Sequence, residues 1–247
     1  MKVVVNGALG RMGQALLRLI ADKKHGAVLA AAVDCASECE EVLQSLDEFD
    51  GVADVIIDFT NHAGTSELLS YSVANNIPLV ICTTGHTEDE LAEIEEASDD
   101  IPIFHSANMS LGVAALADLA RKAAALFPDA DIEIVEKHHN QKLDAPSGTA
   151  LMIANKIKEE RENATYIYGR GGHRKREKNE IGIHAIRMGN VIGEHEVMIN
   201  TGNETITLKH EAHDRSLFAD GALSAAEFIV NMPNGLYSMD DIIRNNK

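Results

Sequence analysis

The chain opens with a short apolar run, Met1 to Asn6, followed at once by the turn Gly7-Ala8-Leu9-Gly10-Arg11-Met12-Gly13. Apolar residues Met12, Leu16, Leu17, Leu19 and Ile20 then recur at helical spacing, and a second apolar run, Val28 to Val33, ends at Asp34. Strand, tight turn, helix, strand and terminal acid are the parts of an opening βαβ unit in a doubly wound sheet. The alternation continues with strands at 55–59, 78–82 and 102–104 and helices at 64–75 and 87–97. Short apolar runs alternating with helices predict a parallel sheet covered on both faces.

After about residue 108 the pattern changes. An Ala-rich helix is predicted over 111–126, and strand-like alternation marks 132–136, 181–188, 191–199 and 205–210. Gly189-Asn190 and Gly202-Asn203 are suited to hairpin turns between successive strands, because both residue types tolerate positive φ. A last apolar helix at 217–230 is expected to return to the first domain. The fold class is therefore α/β: a Rossmann-type dinucleotide-binding domain over 1–108 and 215–247, and a second α+β domain over 109–214. The second domain should carry a mostly antiparallel or mixed four-stranded sheet.

Composition changes this picture in two places. Aromatic residues make up 4% of the chain and Trp is absent, so the core must rest on Ala, Val, Ile and Leu. The 22 Lys and Arg against 39 Asp and Glu give a net charge of −17, which argues against nucleic acid or an anionic membrane surface as partner. Anionic ligands must then be held by local donors working against the global field. No apolar stretch approaches the ~18 residues of a membrane span. Cys35, Cys39 and Cys82 have neither CxxC nor metal-ligand spacing, so no metal site is expected, and reduced thiols in a cytoplasmic protein are the simplest reading.

Three segments carry candidate chemistry. In the glycine turn, Gly7 permits a sharp exit from the strand, Gly10 lets backbone approach a pyrophosphate, and Gly13 lets the helix pack closely. The G-x-x-G-x-x-G spacing is weak as a bare motif, but its place between strand and helix points to a dinucleotide. Asp34 is positioned for the adenosine ribose hydroxyls, and Cys35-Ala36-Ser37 offers no cation for a 2′-phosphate, so NADH should be preferred over NADPH.

The third segment is Glu136-Lys137-His138-His139-Asn140-Gln141-Lys142-Leu143-Asp144-Ala145-Pro146-Ser147-Gly148-Thr149-Ala150. Pro146, Ser147 and Thr149 suit a helix start, with Ala150, Leu151, Ala154 and Ile157 as its apolar face. The N–H groups of Ser147 to Thr149 with the Thr149 hydroxyl form a carboxylate cradle, and His138, His139 and Lys142 bring titratable donors to it. The basic run Arg170 to Lys178 reads equally as a functional loop, steering anions or lying over bound substrate, or as a solvated one.

The 136–150 segment resembles the signature of the 4-hydroxy-tetrahydrodipicolinate reductase (dihydrodipicolinate reductase) family, E-x-H-H-x-x-K-x-D-x-P-S-G-T-A. The likeness runs on through residues 7–13, I-D-F-T at 57–60, T-T-G at 83–85, S-A-N-M-S-L-G at 106–112 and R-M-G-N-V-I-G-E-H-E-V at 187–197. It implies reductive dehydration of a small cyclic dicarboxylate by NADH or NADPH. His138 and Lys142 would be the catalytic proton donors, and His139, Ser147, Gly148 and Thr149 would bind substrate. Cofactor contacts would fall on Gly7, Ala8, Leu9, Gly10, Arg11, Met12, Asp34, Cys82, Thr83, Thr84, Ser106, Ala107, Asn108 and Met109. The family is commonly homotetrameric through the second domain, so that domain is expected to bind substrate and to assemble. Met109 and Cys82 depart from the family's frequent Phe and Gly, and the stretch between Asp34 and Gly51 is short.

Rival readings are weaker. A semialdehyde dehydrogenase needs a Cys in the second half, where none occurs. An amino-acid dehydrogenase stays open as the alternative, since a Rossmann half is shared by many chemistries. A nucleotide sensor has no use for His138, Lys142 and the carboxylate cradle together.

Overall fold

The computed structural model describes residues Met1–Asn245; the last two residues of the expected first domain, Asn246 and Lys247, lie outside the described residues. The chain forms two compact units, Met1–Ser110 with the segment from Arg215 onward, and Leu111–Asp214. The backbone thus passes between units at residues 110–111 and 214–215.

In the first unit the chain runs β1 (Lys2–Asn6), α1 (Arg11–Ala21), β2 (Val28–Val33), β3 (Val55–Asp58), α2 (Thr65–Asn75), β4 (Leu79–Ile81), α3 (Glu88–Ala97) and β5 (Pro102–His105). Val3, Val4, Val5, Val55, Ile56 and Ile57 are all fully buried. Strands covered on both faces read as continuous apolar runs, not alternating ones, which is why these short segments were legible. The helix α3 begins with a capping box: Glu90 N–H donates to Thr87 Oγ1, and Thr87 N–H donates to the Glu90 carboxylate.

The second unit contains α4 (Leu111–Leu126), β6 (Asp131–His138), α5 (Gly148–Lys158), β7 (Thr165–Tyr168), β8 (Glu180–Arg187), β9 (Gly193–Asn200) and β10 (Thr205–Ala212). Its sheet has five strands in the order β10-β9-β6-β8-β7, not the four expected. The additional edge strand, β7, has four residues, and none of them is fully buried. It therefore carries no period strong enough to read.

A second difference concerns Gly189-Asn190. β8 and β9 do not form a hairpin, because β6 lies between them, parallel to β8 and antiparallel to β9. The sheet is consequently mixed, with two parallel and two antiparallel pairings. The connection crosses the end of β6 instead. Met188 N–H donates to His138 O (2.9 Å) and Asn140 N–H donates to Gly189 O (3.2 Å). The Gly202 turn does join paired strands, with Asn200 opposite Thr205.

One face of this sheet packs Ile132, Ile134, Ile181, Ile183, Val197 and Ile199 into a core against apolar residues of α4 and α5. The basic run is consumed structurally. Arg170 pairs with Glu133 and Glu180, Arg174 with Glu180, Arg176 with Asp131 and Glu133, and Lys178 with Asp129. These pairs offset much of the segment's charge locally.

The chain then returns through α6 (Ser216–Ile229), β11 (Gly235–Tyr237) and α7 (Met239–Asn245). β11 completes an all-parallel six-stranded sheet, β11-β5-β4-β3-β1-β2. Neither β11 nor α7 was expected, since three and seven residues are too short for periodicity to register. Gly221 of α6 lies against the Met109 carbonyl, where a Cβ would sit 1.7 Å from the oxygen. Gly221→Ala should therefore lower stability by about 1–3 kcal/mol, the usual range for overpacking. Urea unfolding checks this; an unchanged midpoint would mean the contact is looser than described.

Candidate active site

Along β6 the buried residues alternate as Ile132, Ile134, Glu136, His138, all on the face turned toward the core. Two apolar residues are thus followed on the same face by a carboxylate and an imidazole. Glu136 has no exposed surface, and a buried charge survives only when paired and hydrogen-bonded. It accepts two bonds from Arg187 of β8 (2.7 Å each), one from Ser147 N–H (3.0 Å) and one from His138 Nδ1 (2.6 Å). Burial alone raises its pKa, but the bonds from His138, Arg187 and Ser147 outweigh that and hold it at about 2. Because an ionised carboxylate only accepts, the proton on this side of His138 belongs to Nδ1, and Nε2 is directed elsewhere.

The same arginine spans to the next segment. Arg187 also donates to the Asp144 carbonyl (2.6 Å), and the Asp144 carboxylate receives Lys142 Nζ (2.8 Å). Burial opposes ionisation of Asp144, but Lys142 and the Gly148 N–H at the start of α5 bring its pKa below the ordinary value. The α5 start has no acidic side chain in its first turn, so its positive dipole end is uncompensated from within the helix.

The four substrate residues implied by the sequence differ in placement. Gly148 is exposed and opens onto free space, while Thr149 and His139 are half-buried. Ser147 is buried at 1% exposure, and its polar atoms are used internally. Its N–H goes to Glu136, while its Oγ accepts from Ala150 N–H and contacts His195 Nε2 (3.1 Å). Ser147 is therefore the cap of α5, while the Gly148 N–H meets the Asp144 carboxylate at the same helix start.

Sequence reading did not single out Glu136, Arg187 or His195. The alternation on β6 would have exposed Glu136, two residues before His138 on the same face. Arg187 and His195 lie opposite His138 and Glu136 only through the strand register, which no local pattern gives. The His195 ring packs edge-on to His138 with centroids 5.2 Å apart.

In the first unit, Gly7 adopts φ +83°, and a Cβ there would lie 2.8 Å from the Phe59 carbonyl oxygen. A Cβ on Gly13 would lie 2.1 Å from Gly7 O, so α1 could not approach the turn with any other residue. The N-terminus of α1 has Gly10 as cap, no side-chain cap bond and no acid in its first turn, leaving N–H donors for a pyrophosphate. These features fit a dinucleotide. Leu9, Gly10 and Arg11 are exposed, Met12 is half-buried and Ala8 is buried.

Asp34 accepts Leu9 N–H (2.9 Å) and Ala36 N–H (3.0 Å), tying the turn to the end of β2. At the end of β3, buried Asp58 binds Asn6, Thr60 and Thr83 (2.9, 2.7 and 2.6 Å), with its pKa raised by burial despite those bonds. Thr83 is thus fixed inward, leaving Thr84 exposed. Burial, then Asp58, pushes the half-buried Cys82 thiol well up. Ser106 Oγ donates to Asn108 O (3.0 Å), Ala107 is exposed, and Met109 is buried.

Among the described residues no group of three or more His, Cys, Asp or Glu is arranged to hold a metal ion. No helix among them is long and apolar enough to cross a membrane.

A Rossmann-type parallel sheet with a dinucleotide turn, joined to a second unit bearing a buried His–Glu–Arg cluster, defines a pyridine-nucleotide-dependent reductase. The chain matches family models described as dihydrodipicolinate reductase, N-terminus, over residues 1–109, and C-terminus, over residues 112–243. It is 45% identical over 248 residues to the 4-hydroxy-tetrahydrodipicolinate reductase of Clostridium novyi (strain NT), covering 98% of each chain. It is 44% identical over 246 residues to that of Caldanaerobacter subterraneus subsp. tengcongensis, again covering 98% of each. A dipicolinate-bound dihydrodipicolinate reductase from Paenisporosarcina sp. TG-14 has the same fold, with TM-score 0.78 at 24% identity over 98% of this chain and 99% of that one. The chain belongs to the dihydrodipicolinate reductase family.

His195 supplies a test of the buried cluster. Burial, then the neighbouring His138, lowers its pKa from 6.5 to about 3. The unfolded chain takes up that proton first, so stability should fall as pH drops below about 6.5 and continue falling toward about 3. Glu136 adds a loss of the same sign between about 4.5 and about 2. His195→Gln should flatten the fall in urea midpoint between pH 6.5 and 5, where Glu136 contributes little; an unchanged slope would mean His195 is not held neutral.

Proposed function

We propose that this protein reduces 4-hydroxy-tetrahydrodipicolinate, with loss of water, to tetrahydrodipicolinate for lysine and diaminopimelate synthesis, using NADH in preference to NADPH. The observation that carries the reading is the convergence at the end of β6. There the buried imidazole of His138, the Lys142 ammonium on Asp144 and the exposed start of α5 fall in one short segment, a donor set that would suit a cyclic dicarboxylate. Gly148 and Thr149 hold one carboxylate by helix N–H groups and the Thr149 hydroxyl. Lys142 exchanges Asp144 for a substrate carboxylate, with His139 as a further contact.

Gly7 to Met12 and Asp34 would hold the cofactor, together with Cys82 to Thr84 and Ser106 to Met109; when bound it supplies the hydride that adds to the conjugated imine left by loss of water. His138 then delivers a proton from Nε2 to the resulting enamine while its Nδ1–H stays on Glu136. Lys142 is the second donor. The overall balance consumes one substrate, one NADH and one proton, and yields one product, NAD and water.

NADH preference is supported by the carboxylate of Asp34 and the exposed, uncharged Cys35 and Ala36 beside it. A nearby cavity of about 540 Å³ is lined by Cys35, Gln44, Asp47, Glu67 and Tyr71, two of them acids that would repel a 2′-phosphate. A homotetramer through the second unit is supported by the face of its sheet opposite α4 and α5. On that face Val135, Ile186 and Met198 are only partly covered, and the register sets them among Glu133, Lys137, His184, Glu194 and Glu196, a mixed apolar and charged surface. All three cysteines are free, consistent with work in the cytoplasm.

The direct test is NADH oxidation, followed at the nicotinamide absorbance, with freshly generated pathway intermediate; no turnover would overturn the reading. His138→Gln and Lys142→Ala should each lower kcat by about 10²–10⁴-fold with NADH affinity nearly intact. A variant with normal kcat across the pH range would remove its residue from the donor role. Thr149→Val should cost roughly 1.5–3 kcal/mol in affinity for pyridine-2,6-dicarboxylate and little for NADH. Equal losses for both ligands would contradict the carboxylate assignment. Cys35→Arg should shift kcat/KM toward NADPH, and a native enzyme already favouring NADPH would refute the cofactor preference.

A further inference from the structure

The reaction needs a proton donor whose acidic nitrogen faces substrate in every turnover, yet an imidazole can carry its proton on either nitrogen. Four donors meet on the Glu136 carboxylate: both Arg187 terminal nitrogens, the Ser147 amide and His138 Nδ1, all within 2.6–3.0 Å. Each oxygen takes two, so no acceptor position is left for water or substrate. A fully buried, fully bonded carboxylate cannot touch the reacting atoms, and its effect must pass through what it holds.

We infer that Glu136 is the positioning residue of the proton donor: with Arg187 as counter-charge, it locks His138 as the Nδ1–H form and ties that ring to the start of α5. The inference rests on the proposed reaction and on His138 as its donor. The lock has two consequences. It leaves Nε2 as the nitrogen that gains and delivers the catalytic proton. Through Ser147 N–H, it keeps the carboxylate-binding helix start in register with the ring.

Gly193 belongs to the same arrangement, because a Cβ there would approach His138 Nε2 to 3.1 Å. The absence of a side chain at that position keeps the nitrogen approachable. Arg187 acts in parallel from β8, since its second contact, to the Asp144 carbonyl, anchors the loop that carries Lys142.

The test is a double-mutant cycle on the full-length enzyme with Glu136→Gln and His138→Gln. Glu136→Gln keeps the shape and removes the charge. It should lower kcat at least tenfold, leave KM for NADH unchanged, and move the basic limb of the kcat–pH profile to lower pH. At saturating substrate the double variant should have a kcat no lower than His138→Gln alone, because the ring that Glu136 orients is gone, while any loosening of the α5 start through Ser147 N–H appears in KM for the substrate.

A merely structural role for Glu136 would instead lower stability without moving the pH limb, and its kinetic loss would add to that of His138→Gln; either result overturns the inference. Should Glu136→Gln fail to fold with Arg187 left unpaired, E136Q with R187Q removes both buried charges and carries the same readouts. If wild-type enzyme does not turn over the substrate, or His138→Gln is fully active, the proposed function or donor has failed. If those hold and Glu136→Gln keeps its kcat and pH profile, only the positioning role has failed.

Discussion

Glu136 imposes the constraint around which the second unit is arranged. A carboxylate without exposed surface costs several kcal/mol in desolvation unless its charge is balanced and its lone pairs are filled. Satisfying it requires β6 to lie beside β8 so that Arg187 can reach across, and α5 to start where the Ser147 amide can donate. The strand order that upset the expected hairpin at Gly189-Asn190 is the one that brings Arg187 opposite His138. The mixed topology and the buried cluster thus share a cause: β6 sits at the centre of the sheet, with Glu136 and His138 at its carboxyl end.

The first unit solves a different problem with a similar device. Gly7 and Gly13 permit a backbone approach that no side chain would allow, and this brings bare helix N–H groups to the mouth of β1. Buried Asp58 then gathers Asn6, Thr60 and Thr83 from three neighbouring segments. In each unit one buried carboxylate ties several segments together. A ligand site built on such segments would need little ordering on binding, which lowers the entropic cost of association.

Much of this was legible in the sequence because its signals are local. Val3 to Val5 and Val55 to Ile57 read as buried strands from their unbroken apolar runs, and Gly7, Asp34, His138, Lys142 and Gly148 stand in motifs with their own punctuation. What escaped depended on distance along the chain. Arg187 and His195 are 51 and 59 residues from Glu136 in the numbering, and only strand register joins them to it. β7 and β11 are edge strands too short to show a period. Ser147 was read both as part of the helix start and as a ligand donor; in the structure it caps α5, and its buried amide and hydroxyl are taken up by Glu136, Ala150 and His195.

The central claim is that a dicarboxylate docks on the start of α5, next to a His138 ring held by Glu136. Backbone amide and histidine ring nitrogen shifts, recorded on isotope-labelled enzyme while pyridine-2,6-dicarboxylate is added in the presence of NADH, test it most directly. The account predicts the largest amide changes at Gly148 and Thr149, with His138 showing a protonated Nδ1 throughout. Saturable binding that leaves Gly148 and Thr149 unmoved, or a His138 ring with its proton on Nε2 alone, would contradict it.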